Sequence, residues 1–167
     1  MPDQITAMTD TRRFKLMQAI VGAANPFVRR LLDSRFAGPM SKALLLLRYR
    51  GRKSGRTFAT PVGYVREGAR VVMVTSPTYS WWRNMVGGAE AEVRLPEGWR
   101  HGHAEVLFPN DPRYDDTVAL QVANRGPGML RGFGIEMDDA GRITPAAKAT
   151  ATQHAHVVLV TLSPAGT

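Results

Sequence analysis

Three short strand-like segments with very little chain between them constrain this protein most. Leu44–Tyr49 is an apolar run. Thr57–Val65 follows it across the turn Gly51-Arg52-Lys53-Ser54-Gly55, and Arg70–Thr75 follows across Arg66-Glu67-Gly68. Parallel neighbours need a crossover of about a dozen residues or more, and neither connection is long enough to hold one. The pattern predicts an antiparallel sheet or barrel rather than βαβ units. The unbroken leucines of Leu44–Leu47 predict burial on both faces of the first strand. Pro61 cannot donate to a ladder, so it marks an edge, a bulge or an interrupted ladder in the second strand.

The rest of the chain extends this pattern. Trp81–Val86 reads as a short helix ended by Gly87-Gly88. Glu92–Leu95 and Arg100–Leu107 read as the fourth and fifth strands, and His156–Leu162 as a closing strand. Asp111–Asn124 has helical spacing. Residues Arg125–Gly134 hold four glycines and a proline, which predicts a loop with freedom to move. Met137–Gln153 is polar and alanine-rich, with a turn at Asp139-Ala140-Gly141. No repeat and no linker divides residues 1–167, so a single domain is expected, mainly β with flanking helices (α+β).

An N-terminal amphipathic helical segment is expected over residues 11–37. Phe14, Met17, Ile20, Val21 and Ala24 recur at helical spacing. Asn25-Pro26 restarts the helix, with Phe27, Val28, Leu31 and Leu32 on one side, until Gly38-Pro39. Such a segment packs on the domain's own sheet or on a dimer partner. Its other reading is a basic surface against an anionic membrane.

Charge is distributed unevenly. The net charge is +8, yet Arg12–Arg56 holds twelve Lys/Arg against one acid, Asp33, a balance of +11. From Thr57 onward there are ten Lys/Arg and eleven acids, a balance of −1. The basic third points to an anionic partner: nucleic acid, membrane surface or a phosphorylated small molecule. No helix-turn-helix or interleaved aromatic–basic pattern is present, so nucleic acid is not expected. There is no cysteine, which excludes disulfides, thiolate metal sites and cysteine nucleophiles, and fits a cytoplasmic protein. No apolar run approaches the ~20 residues that span a bilayer. Thr11-Arg12-Arg13-Phe14-Lys15 is loosely similar to a twin-arginine export signal, but Gln18 interrupts the apolar segment and no clear cleavage site follows. The expected location is the cytoplasm, with membrane association limited to its cytoplasmic face.

Two stretches can hold a ligand. In the first turn, Gly51 and Gly55 allow close backbone approach, and exposed N–H groups there can form an anion nest. Arg52, Lys53, Ser54 and Arg56 add the charge and donors that phosphate oxygens take. A solvated hairpin tip is the plain reading of the same residues. It is not a P-loop, since the Gly-x-x-x-x-Gly-Lys-Ser/Thr spacing is absent. The second stretch is Tyr79-Ser80-Trp81-Trp82-Arg83-Asn84. Adjacent tryptophans cannot share one helical face, so one belongs in the core and the other on a rim, where it can wall a planar ring. His101 with His103, and His154 with His156, would each share a strand face, but spacing supplies no third ligand, so no metal is expected. No Gly-x-Ser-x-Gly and no paired carboxylates offer nucleophilic or acid–base catalysis.

Taken in order, these features resemble a known family. Leu46-Leu47-Arg48-Tyr49-Arg50-Gly51-Arg52-Lys53-Ser54-Gly55, then Thr60-Pro61, Gly63-Tyr64-Val65-Arg66-Glu67-Gly68, and a valine-rich strand ending at Ser76 are similar to the deazaflavin-dependent nitroreductases. These are small coenzyme F420-dependent oxidoreductases of actinobacteria. Trp81-Trp82-Arg83-Asn84-Met85 resembles that family's Trp-Tyr-x-Asn-Leu helix, and the likeness covers roughly residues 43–108.

The resemblance implies a split β-barrel like that of flavin reductases and pyridoxamine-phosphate oxidases, commonly a homodimer. It implies F420 along a groove, its phosphate tail on Arg52, Lys53, Ser54 and Gly55, with Arg56 and Thr60 beside it. Pro61 and Ser76 match positions near the deazaflavin, and Trp81 and Asn84 match the short-helix positions. The implied reaction is hydride transfer to an electron-poor acceptor: a quinone, an activated alkene or a nitro compound. In such chemistry the cofactor carries the reactivity and the protein positions it. Three positions and one loop depart from the pattern. Phe58 replaces an Arg, Thr60 an Asn and Gly63 a Tyr, while Ser76-Pro77-Thr78-Tyr79 replaces Ser-Lys-Gly-Gly. Arg48, Arg50 or Arg56 would have to replace the lost cations. Otherwise FMN, haem or no cofactor takes the site, without F420 turnover.

Overall fold

A computed structural model describes residues 43–164. The amphipathic segment 11–37 lies outside them. Six strands form a closed antiparallel barrel: β1 (Leu44–Arg50), β2 (Thr57–Glu67), β3 (Arg70–Thr75), β4 (Ala89–Leu95), β5 (Gly98–Leu107) and β6 (His156–Leu162). Their order around the barrel is β1-β2-β3-β6-β5-β4. All six expected strands are present, with ends shifted by a few residues. The short connections enforce hairpins for β1–β2, β2–β3 and β4–β5, and β6 enters between β3 and β5.

Strand alternation divides the apolar residues between two cores. Leu45, Leu47, Tyr49, Val62, Tyr64, Val71, Met73, Val93, Val158 and Val160 fill the barrel. Val65, Val72, Leu107, Val157 and Leu159 point outward, beneath helices α1 (Tyr114–Arg125), α2 (Pro127–Gly132) and α3 (Pro145–His154). Leu44 and Leu46 face outward with Ala59 and Trp99, so the leucine run is buried on both sides, as its composition requires. Arg113 anchors the start of α1 by pairing with Glu105 and Asp111. Its hydrogen bonds hold both carboxyls below their ordinary range. Buried Gln121 donates from Nε2 to the Val72 carbonyl at 2.9 Å, tying α1 to the barrel wall.

Two expectations are corrected. Residues 125–134 are not a loop, because Pro127–Gly132 is helical. Pro127 suits the first turn, Gly126 makes the break at φ 75°, and fully buried Leu130 supplies the packing that local propensity lacks. Likewise, His154 and His156 do not share a strand face, since His154 ends α3 and His156 begins β6.

The barrel is split on one side. β2 pairs with β1 from Thr57 to Gly63, but with β3 only from Tyr64 to Glu67. Tyr64 sends its N–H toward the β1 side, to Ala43. By alternation the main-chain groups of Ala59, Pro61 and Gly63 face the opening. Extending the β2–β3 register by three residues would set Pro61 opposite Ser76, but no pairing occurs there. Pro61 therefore marks an interrupted ladder, as its missing donor dictates.

Candidate functional site

Antiparallel alternation brings the ends of β1, β3 and β5 and the starts of β2, β4 and β6 to one rim. The Gly51–Arg56 turn, the Ser76–Ser80 loop, the 3-10 helix Trp81–Met85 and Phe108 all lie there.

The turn is internally built. Gly51 donates to the Arg56 carbonyl at 2.9 Å and Gly55 donates to the Gly51 carbonyl at 2.8 Å. Gly55 takes φ +64°, a conformation that favours glycine. The Arg56 N–H reaches Ser54 Oγ at 3.3 Å. The Arg52 N–H is taken by Asn84 Oδ1 at 3.0 Å, and Asn84 Nδ2 donates to the Trp81 carbonyl at 2.9 Å. Asn84 thus ties the turn to the 3-10 helix. Only the consecutive Lys53 and Ser54 N–H groups of the turn remain without a partner among the described residues. The anion nest is narrower than composition suggested.

Charge on this rim is uncompensated. Arg50, Arg52, Lys53, Arg56 and Arg83 have no carboxylate partner among the described residues, although seven other arginines and lysines do. Arg48 is not available: it pairs with Glu92 at 3.1 Å and lies 3.8 Å from the Trp99 ring centroid. Of the three arginines able to replace the lost cations, Arg50 and Arg56 are therefore the free ones. Unpaired like charges held together repel, and an anionic ligand relieves that repulsion.

The remaining expected residues take distinct places. Phe58 stands opposite Tyr49 and stacks on it at 5.8 Å, 40% exposed, with its ring against Gly51. The aromatic props the turn from inside the rim. Thr60 faces the barrel and hydrogen-bonds Tyr49, whose phenol burial nevertheless raises above its ordinary pKa. Pro61 is buried at the split, and Ser76 Oγ is 2.8 Å from Thr78 Oγ1 on the opposite lip. Trp81 is a core side chain. Trp82 is the rim tryptophan, so the division between the adjacent pair is as expected.

His156 and Phe108 also stand on this rim, a placement that no sequence motif marks. His156 stacks on Trp82 at 3.7 Å, and Phe108 lies edge-on to it at 6.5 Å. Burial, with the Arg83 charge, lowers the His156 pKa. Its only sequence signal was interior parity with Val158 and Val160. His101 and His103 do share a face, but each pairs with a glutamate, Glu92 and Glu90. Among the described residues no His/Asp/Glu cluster suits a metal. A separate open cleft of about 350 Å³, lined by Tyr64, Arg66, Pro96 and Arg125, lies toward the far end of β2 from the turn.

Solved structures of similar shape include the FAD and heme binding protein from Mycobacterium smegmatis, at 20% identity and TM-score 0.43. That match covers 81% of this chain and 66% of that one, so the chain spans just under two thirds of that protein. An F420 reductase matches at 15% identity and TM-score 0.39, over 74% of this chain and 88% of its own. An FMN binding protein related to pyridoxamine 5'-phosphate oxidase, from Nostoc punctiforme, matches at 11% identity and TM-score 0.47, over 83% and 80%. No curated protein matches. The family model of F420H(2)-dependent quinone reductases matches residues 26–126, which span the basic turn, the split and the Trp81–Met85 helix. That match covers more than half of the chain, which therefore belongs to the F420H(2)-dependent quinone reductase family.

Proposed function

We propose that this chain reduces an electron-poor acceptor (a quinone, an activated alkene or a nitro compound) with F420H2 bound along the split, phosphate end on the Gly51–Arg56 turn. The observation that carries this reading is the turn itself: uncompensated Arg50, Arg52, Lys53 and Arg56 around the unpaired Lys53 and Ser54 N–H groups. This donor set fits an anionic tail. Charge-assisted hydrogen bonds to phosphate are among the stronger ones, at about 1.5–3 kcal/mol each. Reduced deazaflavin, when bound, supplies a hydride.

The chain's own part is positioning. Asn84 fixes the turn relative to the 3-10 helix, Phe58 props it, and Pro61 keeps the split from zipping shut. Arg83 adds positive potential beside Trp82, at 5.0 Å from its ring centroid. The reading also takes the functional unit as a homodimer, which sedimentation of the full chain would test.

Titrating F420 and FMN separately, and following tryptophan and cofactor fluorescence, tests the reading. F420 binding tighter than about tens of micromolar, with weaker FMN binding, is expected. Absence of F420 binding in that range overturns it.

A further inference from the structure

Trp82 and His156 face each other with ring centroids 3.7 Å apart and planes at 28°. Trp82 Nε1 and His156 Nδ1 are both sealed from solvent and lack a hydrogen-bond partner among the described residues. His156 as a whole is 6% exposed. Buried polar groups are nearly always paired, and two unpaired nitrogens on facing rings point to one missing partner. Both sit on the rim, Trp82 within the same five-residue helix as Asn84, which ties down the basic turn, and His156 at the start of β6. Arg83 lies over Trp82, and Phe108 is an exposed apolar wall beside His156.

We propose that Trp82 Nε1–H and His156 Nδ1–H jointly hold a carbonyl oxygen of the electron acceptor, a planar quinone-type molecule. This rests on the F420-dependent reading above and adds the acceptor's place to it. The indole nitrogen is only ever a donor. With the imidazole proton on Nδ1, the pair offers two donors and no acceptor. A carbonyl oxygen has two lone pairs and no hydrogen, so it is satisfied by such a pair. A water held by two donors would keep its own hydrogens unpaired. The positive charge of Arg83 suits an oxygen that gains negative charge when its ring is reduced. Trp82 and His156 are positioning residues in this scheme, and Phe108 covers the ring's edge.

The test begins with the full wild-type chain, without F420, labelled with nitrogen-15. Menadione is added while the indole Nε1–H signal of Trp82 and the imidazole nitrogens of His156 are followed. His156→Phe and Trp82→Phe identify those signals by their disappearance. Movement of both signals on saturation is the expected result. Movement of neither, or of the indole alone, overturns the shared carbonyl site and leaves the two nitrogens bridged by water. Because this measurement needs no F420, a chain that fails to bind the cofactor still answers it. In turnover, both variants are expected to raise the KM for menadione about tenfold, the loss of one hydrogen bond. F420 affinity should stay within about twofold, since neither ring belongs to the basic turn. An unchanged KM in both variants also overturns the proposal.

Discussion

The side-chain oxygen of Asn84 accepts the backbone N–H of Arg52 at 3.0 Å, across 32 residues of sequence. One bond thereby fixes the position of the basic turn against the helix that carries Trp81 and Trp82. Replacing Asn84 by Ala frees the turn at a cost of about 0.5–1.5 kcal/mol. F420 affinity should fall by about three- to tenfold, with a melting-temperature loss of a few degrees at most. Asn84→Asp retains the acceptor for Arg52 but loses the donor to the Trp81 carbonyl and sets a negative charge among the cations, so it should lose stability to a similar degree and lose more affinity. Fluorescence titration and circular dichroism separate the two effects.

Lys53→Ala removes one of the uncompensated cations and leaves the turn's internal hydrogen bonds in place. The expected result is weaker F420 binding by about tenfold or more, with unchanged circular dichroism. The salt dependence of binding should flatten at the same time, because one screened contact is lost. Unchanged affinity would remove the phosphate assignment from this turn.

Gly51→Ala tests the prop beneath the turn. A Cβ there would stand 2.7 Å from Phe58 Cε2 and 2.7 Å from Ser54 Oγ. Overpacking of this kind costs typically about 1–3 kcal/mol. The double variant Gly51→Ala/Phe58→Ala should recover part of that loss. A strictly additive thermal-melt result would show that the two side chains do not meet.

Acid sensitivity should trace partly to His156. Its folded pKa is lowered, first by burial and then by Arg83, from the ordinary value near 6.5. A histidine held neutral in the fold binds fewer protons than the unfolded chain does. Its contribution is therefore complete above the unfolded pKa and is lost as pH falls through the folded one. Melting temperature should drop below pH ~6.5 in the wild type and drop less in His156→Phe. Parallel pH profiles for the two proteins would reject the assignment.

Most of the barrel was legible because its strands carry their own punctuation. Leu44–Leu47, the turn glycines and Pro61 each impose a local requirement that the fold meets. Pro127–Gly132 was not legible, because Leu130 becomes fully buried only in a cluster shared with Tyr114, Val118 and the outward faces of the barrel strands, and glycine content pointed the other way. At the site, composition placed the basic residues but could not say which lack a carboxylate. Arg48 is neutralised by Glu92, which stands 44 residues away and only meets it through the β1–β4 register. The Trp82–His156 stack joins residues 74 positions apart, and neither residue's neighbours in sequence announce it.

Pro61 has a consequence for how copies of this molecule treat one another. A strand that stops pairing partway leaves carbonyl and N–H groups open to any extended chain that drifts alongside. At this opening the middle residue of the row has no hydrogen to give, and the nearby turn is crowded with like charge. An incoming strand would meet a gap in its ladder and repulsion at its end. The opening is thereby ill suited to act as an adhesive seam between proteins.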